Sequence, residues 1–259
     1  MKLTVPPNTP EQPAPPPFVE LALTIAERAQ IEVQLAACFG LTAHAARTWV
    51  ETTARSGACF GRLSGGRVAA SFAAEALPLA RGDERLAAVM VQSCYVHPDF
   101  RGRGYGLERA DIAALRRRFA GDAVVLTLFD DGLVPYWRRR GFEVVQRAQE
   151  IDLSEYVRRA QEAFSPAPDE RAVADKLAEV AADGAQVTET DGLVLVCYPG
   201  DDAVQELIVR DPRRAAKSVA AAADLATVAP AAEPDALRVR LKTVMASPGD
   251  LELVCAIDL

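Results

Sequence analysis

Six consecutive residues, Arg101-Gly102-Arg103-Gly104-Tyr105-Gly106, constrain this chain more than any others. They separate an apolar run, Ala87–Val96, from an amphipathic stretch whose apolar positions Leu107, Ala110, Ala114, Leu115 and Phe119 recur at helical spacing. The first N–H groups of a helix have no partner within it, and the helix dipole adds partial positive charge at that end. Alternating glycines permit φ > 0 and a close backbone approach, and two arginines add charge suited to a diphosphate. The segment is not a P-loop, because no Gly-Lys-Ser/Thr follows. Nor is it a dinucleotide fingerprint, because Leu107 stands at the third glycine position and the preceding chain reads as antiparallel. Its plainer alternative is a glycine turn with solvated arginines.

The surrounding text predicts a mixed sheet. Phe18–Leu23 reads as a short strand, Ala26–Phe39 as a helix closed by Gly40, and a second helix capped by Thr42 runs to about Arg55. Ala58–Leu63 and Arg67–Ala74 flank Ser64-Gly65-Gly66 as a hairpin. A charged loop, Arg81–Arg85, is expected before the central strand Ala87–Val96. Val124–Phe129 reads as a buried strand, Val134–Arg140 as one or two helical turns, and Phe142–Val145 as another strand.

On these residues the chain resembles the GCN5-related N-acetyltransferase (GNAT) superfamily. Arg101, Gly104 and Gly106 fill the family's Arg/Gln-x-x-Gly-x-Gly/Ala loop. Val96–Arg101 is similar to its strand-to-loop lead-in, and Tyr136–Phe142 to its aromatic-x-x-x-Gly-Phe element. The resemblance covers roughly residues 18–147. It implies an α/β fold of the mixed-sheet (α+β) kind and acetyl-CoA as co-substrate. The backbone of Cys94, Tyr95 and Val96 would then pair with the pantetheine arm. The loop Arg101, Gly102, Arg103, Gly104, Tyr105 and Gly106 would hold the pyrophosphate. Cys94 then has no need to be a nucleophile and reads as a buried thiol.

The implied chemistry is direct attack of a neutral amine on a thioester, which requires removal of a proton from the amine and stabilisation of the leaving thiolate. This chain departs from the common pattern at both places. Met90–Tyr95 carries no carboxylate to act as base, and Trp137 stands where many relatives have a tyrosine acid. Tyr136, one residue earlier, is the candidate general acid, with a core or ligand-lining tyrosine as the alternative. Asp130 and Asp131 could hold an acceptor ammonium or simply cap a helix. His97 and His44 read as structural or surface residues.

The second half is expected to differ in kind. Residues 1–150 carry 18 basic and 16 acidic side chains, whereas residues 151–259 carry 11 and 20, so the formal charge of −7 sits in the C-terminal part. That imbalance argues for two modules and against a nucleic-acid binder. Residues 1–17 form a proline-rich arm, 18–150 the acetyl-CoA-binding domain, and 151–259 a further domain. Its helices (Leu153 to about Phe164, Glu170–Ala182), a hairpin about Pro199–Asp202, a helix from Pro212 to about Leu225 and strands Leu237–Val244 and Leu251–Ile257 suggest a degenerate GNAT-like module, with an unrelated α+β domain as the alternative. Asp211-Pro212-Arg213-Arg214 stands in place of a glycine loop, and its aspartate would repel phosphate. The tandem order resembles the enhanced-intracellular-survival-type acetyltransferases.

Five dispersed cysteines with no CxxC pair and only two histidines predict reduced thiols and no metal site. No apolar run approaches bilayer length, and the N-terminus lacks signal-peptide character, so a cytoplasmic protein without membrane contact is expected. The function expected is acetyl-CoA-dependent N-acetylation of a small-molecule or peptide amine, a homodimer being left open. The alternative is a non-catalytic CoA-binding or interaction module.

Overall fold

The computed structural model describes residues 14–248 apart from 57, 129, 168, 183, 198–205, 212, 216 and 218–237. The expected turn at Pro199–Asp202, most of the expected helix from Pro212 to Leu225 and the expected strand Leu251–Ile257 lie outside them. Packing divides the chain into two units, one comprising residues 1–74 and 93–108, the other 75–92 and 109–259.

In the first unit, α1 (Ile25–Phe39) and α2 (Ala43–Ser56) cover one face of a small sheet. Thr24 and Glu27 form a reciprocal capping box at the start of α1, and Gly40, at φ 68°, closes it. Ile31 and Leu35 of α1 and Ala46 and Val50 of α2 pack on Leu21, Cys59 and Val68. Strand β1 (Val19–Glu20) pairs antiparallel with β2 (Ala58–Ser64), which pairs with the start of β3 (Arg67–Arg81). Gly65 and Gly66 both have positive φ (58° and 75°), as a two-residue hairpin turn requires. The register shifts between Arg62 and Leu63, and α1 takes up the displaced polar groups. Gln30 Oε1 accepts from the Val68 N–H (2.8 Å), and Gln34 Nε2 donates to the Val68 carbonyl (3.1 Å).

Strand β3 is longer than its sequence suggests. It runs to Arg81, and β4 (Glu84–Val96) begins after a turn at Gly82-Asp83, so the expected charged loop is a tight hairpin with an Arg81–Glu84 ion pair of 2.7 Å. Leu79, Leu86, Ala88 and Met90 place their side chains in one apolar cluster, which specifies strand through that stretch despite its flanking charges.

In the second unit, β4 lies parallel to β5 (Ala123–Leu128) over Ala88–Met90 and Ala123–Val125, joined through α3 (Arg109–Phe119). Then come α4 (Val134–Arg138) and β6 (Glu143–Gln146). The neighbour of β5 on its other side is not β6. It is β13 (Thr243–Pro248), antiparallel to both. Residues 243–248 belong by sequence to the second domain, yet Thr243, Val244, Met245 and Ala246 are fully buried there. Strand β8 (Ser165–Pro166) pairs with Leu79 and Ala80.

The remaining elements make a separate core. Strand β7 (Gln149–Asp152) pairs with β12 (Arg238–Leu241), so the expected strand Leu237–Val244 is two strands that turn at Lys242. Strands β9 (Gln186–Thr190), β10 (Leu193–Cys197) and β11 (Glu206–Val209) form an antiparallel sheet, and α6 (Glu170–Ala182) precedes it. Helix α5 (Leu153–Glu162) presents Leu153, Tyr156, Val157 and Ala160 to Leu193, Leu195, Val239 and Leu241. No helix among the described residues is long and apolar enough to cross a membrane.

A polar latch fixes the start of β13. The fully buried Thr243 hydroxyl donates to Asp131 Oδ1 (2.5 Å) and accepts from the Ala148 N–H (2.9 Å). Thr243→Val keeps the shape and strands the Ala148 donor. It is expected to cost about 1–3 kcal/mol in a urea denaturation series.

Candidate functional site

The glycine segment folds as a run of tight turns. His97 accepts at Nδ1 from the Asp99 N–H (3.3 Å), and Pro98–Phe100 makes one 3₁₀ turn. Gly102 and Gly104 adopt φ of 74° and 77°, a region closed to most side chains. Gly106 is not in that region, so two of the three glycines, not all three, are required by backbone conformation. Arg101 Nε donates back to the Val96 carbonyl (3.1 Å), and Tyr105 leans on Phe100 with ring centroids 4.8 Å apart. Among the described residues, the N–H groups of Gly102, Gly104, Tyr105 and Gly106 have no acceptor. These four donors without carbonyl partners stand beside the exposed Arg101 and Arg103, a combination that suits an anion.

The end of the proline arm lies against this turn. A Pro15 ring carbon is 3.5 Å from where a Cβ on Gly104 would stand, and the buried Arg62 guanidinium donates to the Pro16 carbonyl and stacks on Phe18 at 4.2 Å.

Strand β4 is broken just before the turn. Ser93 has φ 51°, a left-handed conformation that costs an L-residue about 1–2 kcal/mol and is uncommon inside a strand. The parallel pairing of β4 with β5 ends at Met90, three residues earlier. Cys94 and Val96 are half-buried and Tyr95 is buried. Burial pushes the Cys94 thiol up to about 12, which removes the thiolate a nucleophile would need. Burial likewise raises Tyr95.

No family model matches the chain, and no curated protein does. Among solved structures, the chain is similar to Eis1 from Mycobacterium abscessus, at 15% identity and a TM-score of 0.60 over 90% of this chain and 74% of that one. It is also similar to a GCN5-related N-acetyltransferase from Kribbella flavida, at 17% identity and a TM-score of 0.56 over 89% and 71%. This chain has the GNAT fold. The likeness to Eis1 covers 90% of this chain and so extends into both halves.

Within the GNAT fold, the residues singled out by sequence separate into framework and candidates. Trp137 is buried and packs edge-on against Phe142 (5.3 Å) and Tyr136 (5.1 Å), as a core residue does. Tyr136 is half-buried, with the Arg140 guanidinium 3.6 Å from its ring centroid. Asp130 caps the short turn after β5 by accepting from the Gly132 N–H (2.8 Å), and Asp131 holds the β13 latch. Both aspartates thus have structural partners. His97 contacts Arg67 Nη2 through Nε2 (3.0 Å) and orients the lead-in, while His44 is exposed on α2. In the second half, Asp211 Oδ1 accepts from the Arg213 and Arg214 N–H groups (2.9 and 3.2 Å).

One residue escaped the sequence reading. Glu75, on β3, accepts a hydrogen bond from the Gln92 side chain on β4. Burial pushes its carboxyl above the ordinary range, and the Gln92 bond pulls it partly back. The available signal was a lone acid inside the apolar run Phe72–Leu79, but pairing with Gln92 depends on the β3–β4 register. A raised carboxyl means the fold prefers its protonated form. Its stabilising contribution is complete below the ordinary carboxylate range and is lost as pH rises through the raised value. Glu75→Gln is therefore expected to raise the thermal midpoint at pH 7–8, with the gain closing toward about pH 4.

Proposed function

We propose that the chain is an acetyl-CoA-dependent N-acetyltransferase that acts on the amine of a small molecule or peptide by direct attack. The observation that carries this reading is the set of acceptor-free N–H groups at Gly102, Gly104, Tyr105 and Gly106. A pyrophosphate offers oxygens to match, and the exposed Arg101 and Arg103 add charge beside them. The GNAT fold supports an acyltransferase in general; the thioester is supplied by acetyl-CoA. The main-chain groups of Cys94, Tyr95 and Val96, beyond the break at Ser93, serve the pantetheine amides as a strand would.

Three residues divide the proton work. Glu75, its carboxyl raised by burial, removes the proton from the acceptor ammonium, and Gln92 orients it. Tyr136 delivers a proton to the departing thiolate, its ring held beneath Arg140. This assignment supplies the base that β4 lacks from the strand next to it. The acidic second half favours a cationic acceptor, and the protein is read as cytoplasmic, with no nucleic-acid or membrane partner.

Calorimetry with acetyl-CoA is expected to show binding that Gly104→Glu abolishes, because the new side chain adds like charge and demands a disfavoured φ. Binding that survives this change would remove the site assignment. On a panel of polyamines, aminoglycosides and peptides, Glu75→Gln is expected to lower kcat about 100-fold while leaving acetyl-CoA affinity within about twofold. Tyr136→Phe is expected to lower kcat as well. Binding without turnover across the whole panel would favour a CoA-binding interaction module instead.

A further inference from the structure

Helix α3 has a second charged face that the glycine turn does not use. Arg109 and Arg116 lie two turns apart on it, with Ile112 and Ala113 between them, and they line a cavity of about 260 Å³. Arg140, Gly141 and Ser247 close the cavity from the turn after α4 and the end of β13. Arg140 is held in place by donating to the Tyr136 carbonyl (3.2 Å) and by stacking on the Tyr136 ring. Arg109 Nε stands 3.8 Å from where a Cβ on Gly141 would be, which brings this guanidinium up against the same turn.

Three guanidinium groups therefore share one small cavity whose lining includes no carboxylate. Among the described residues, neither Arg109 nor Arg116 has an ion-pair partner. Elsewhere the arginines of this chain are commonly paired, as Arg158 is with Glu155 and Glu162, and Arg210 with Glu189. Arg109 and Arg116, like charges without an ion-pair partner among the described residues, repel one another, and a ligand carrying two negative charges reverses that term. Guanidinium forks match tetrahedral phosphate oxygens better than they match a single point acceptor. The cavity also exceeds the size of a bare phosphate, and the Ile112 and Ala113 wall offers apolar contact to whatever carries it.

We propose that Arg109, Arg116 and Arg140 form a binding site for a phosphate monoester attached to a small organic group. Two sources share this chemistry: the 3′-phosphate of CoA, which rests on the acetyl-CoA reading above, and an independent phosphorylated metabolite, which does not.

The test uses the full chain, an Arg109→Gln/Arg116→Gln double variant, and Arg117→Gln as an exposed control on the same helix, with circular dichroism to verify folding. Inorganic phosphate binding is followed by ³¹P line broadening at fixed ionic strength, and CoA and dephospho-CoA affinities by calorimetry. Phosphate binding is expected in the native chain and in Arg117→Gln, weakened about tenfold or more in the double variant. If the group belongs to CoA, the native chain prefers CoA over dephospho-CoA about tenfold and the double variant loses that preference. If it belongs to a separate metabolite, CoA and dephospho-CoA bind alike while the phosphate readout still depends on the arginines. Identical phosphate and CoA readouts in the native chain and the folded double variant overturn the site. Loss of all CoA binding with phosphate binding retained would instead overturn the acetyl-CoA reading and leave this one standing.

Discussion

Strand β4 carries two incompatible demands, and much else follows from how it meets them. Up to Gln92 it behaves as a central strand, with Ala88 and Met90 inside an apolar cluster and its backbone paired to β5. At Ser93 the chain enters a left-handed conformation that strand geometry does not otherwise tolerate. The energy to hold Ser93 there has to come from the packing on both sides of it. The buried Tyr95 and the bond from the His97 N–H to the Ala69 carbonyl (2.9 Å) anchor the far side. A strand that ended at the break could not aim the following turn. A strand without the break would have its amides committed to a neighbour and unavailable to a ligand.

Much of the first half was readable because its signals are local. Gly40 announces a helix end and Gly65-Gly66 a two-residue turn, and each depends on residues within a few positions. The glycine turn was legible for the same reason, although Gly106 proved not to need its conformational freedom. What escaped was set by distant pairing. The charges at Arg81, Glu84 and Arg85 look like a loop until Leu79 and Leu86 are seen to share a cluster across the hairpin. Glu75 looks like an isolated acid until the register brings Gln92 beside it. The break at Lys242 was invisible because Leu241 and Val244 are both apolar, and only their burial in different clusters separates β12 from β13.

The charges retained at the candidate sites work against the stability of the chain that holds them. Glu75 is a partly buried acid that the fold would rather keep protonated. Arg109 and Arg116, which have no ion-pair partner among the described residues, line one cavity with the Arg140 guanidinium. At Asp211 a carboxylate instead accepts from two backbone donors, the N–H groups of Arg213 and Arg214.

The placement of β13 also sets an order of events during synthesis. Gln146 at the end of β6 bonds to the carbonyl of Lys242, 96 positions later, and β5 receives its second neighbour only from that late segment. While the ribosome is still translating the intervening residues, β5 has an exposed edge and an uncovered apolar face. Such an edge is open to pairing with a strand of another nascent chain. The first sheet therefore matures after its own sequence is complete, when the second half has been made and has delivered its last described strand. The two halves are successive in sequence, but they are a single commitment in folding.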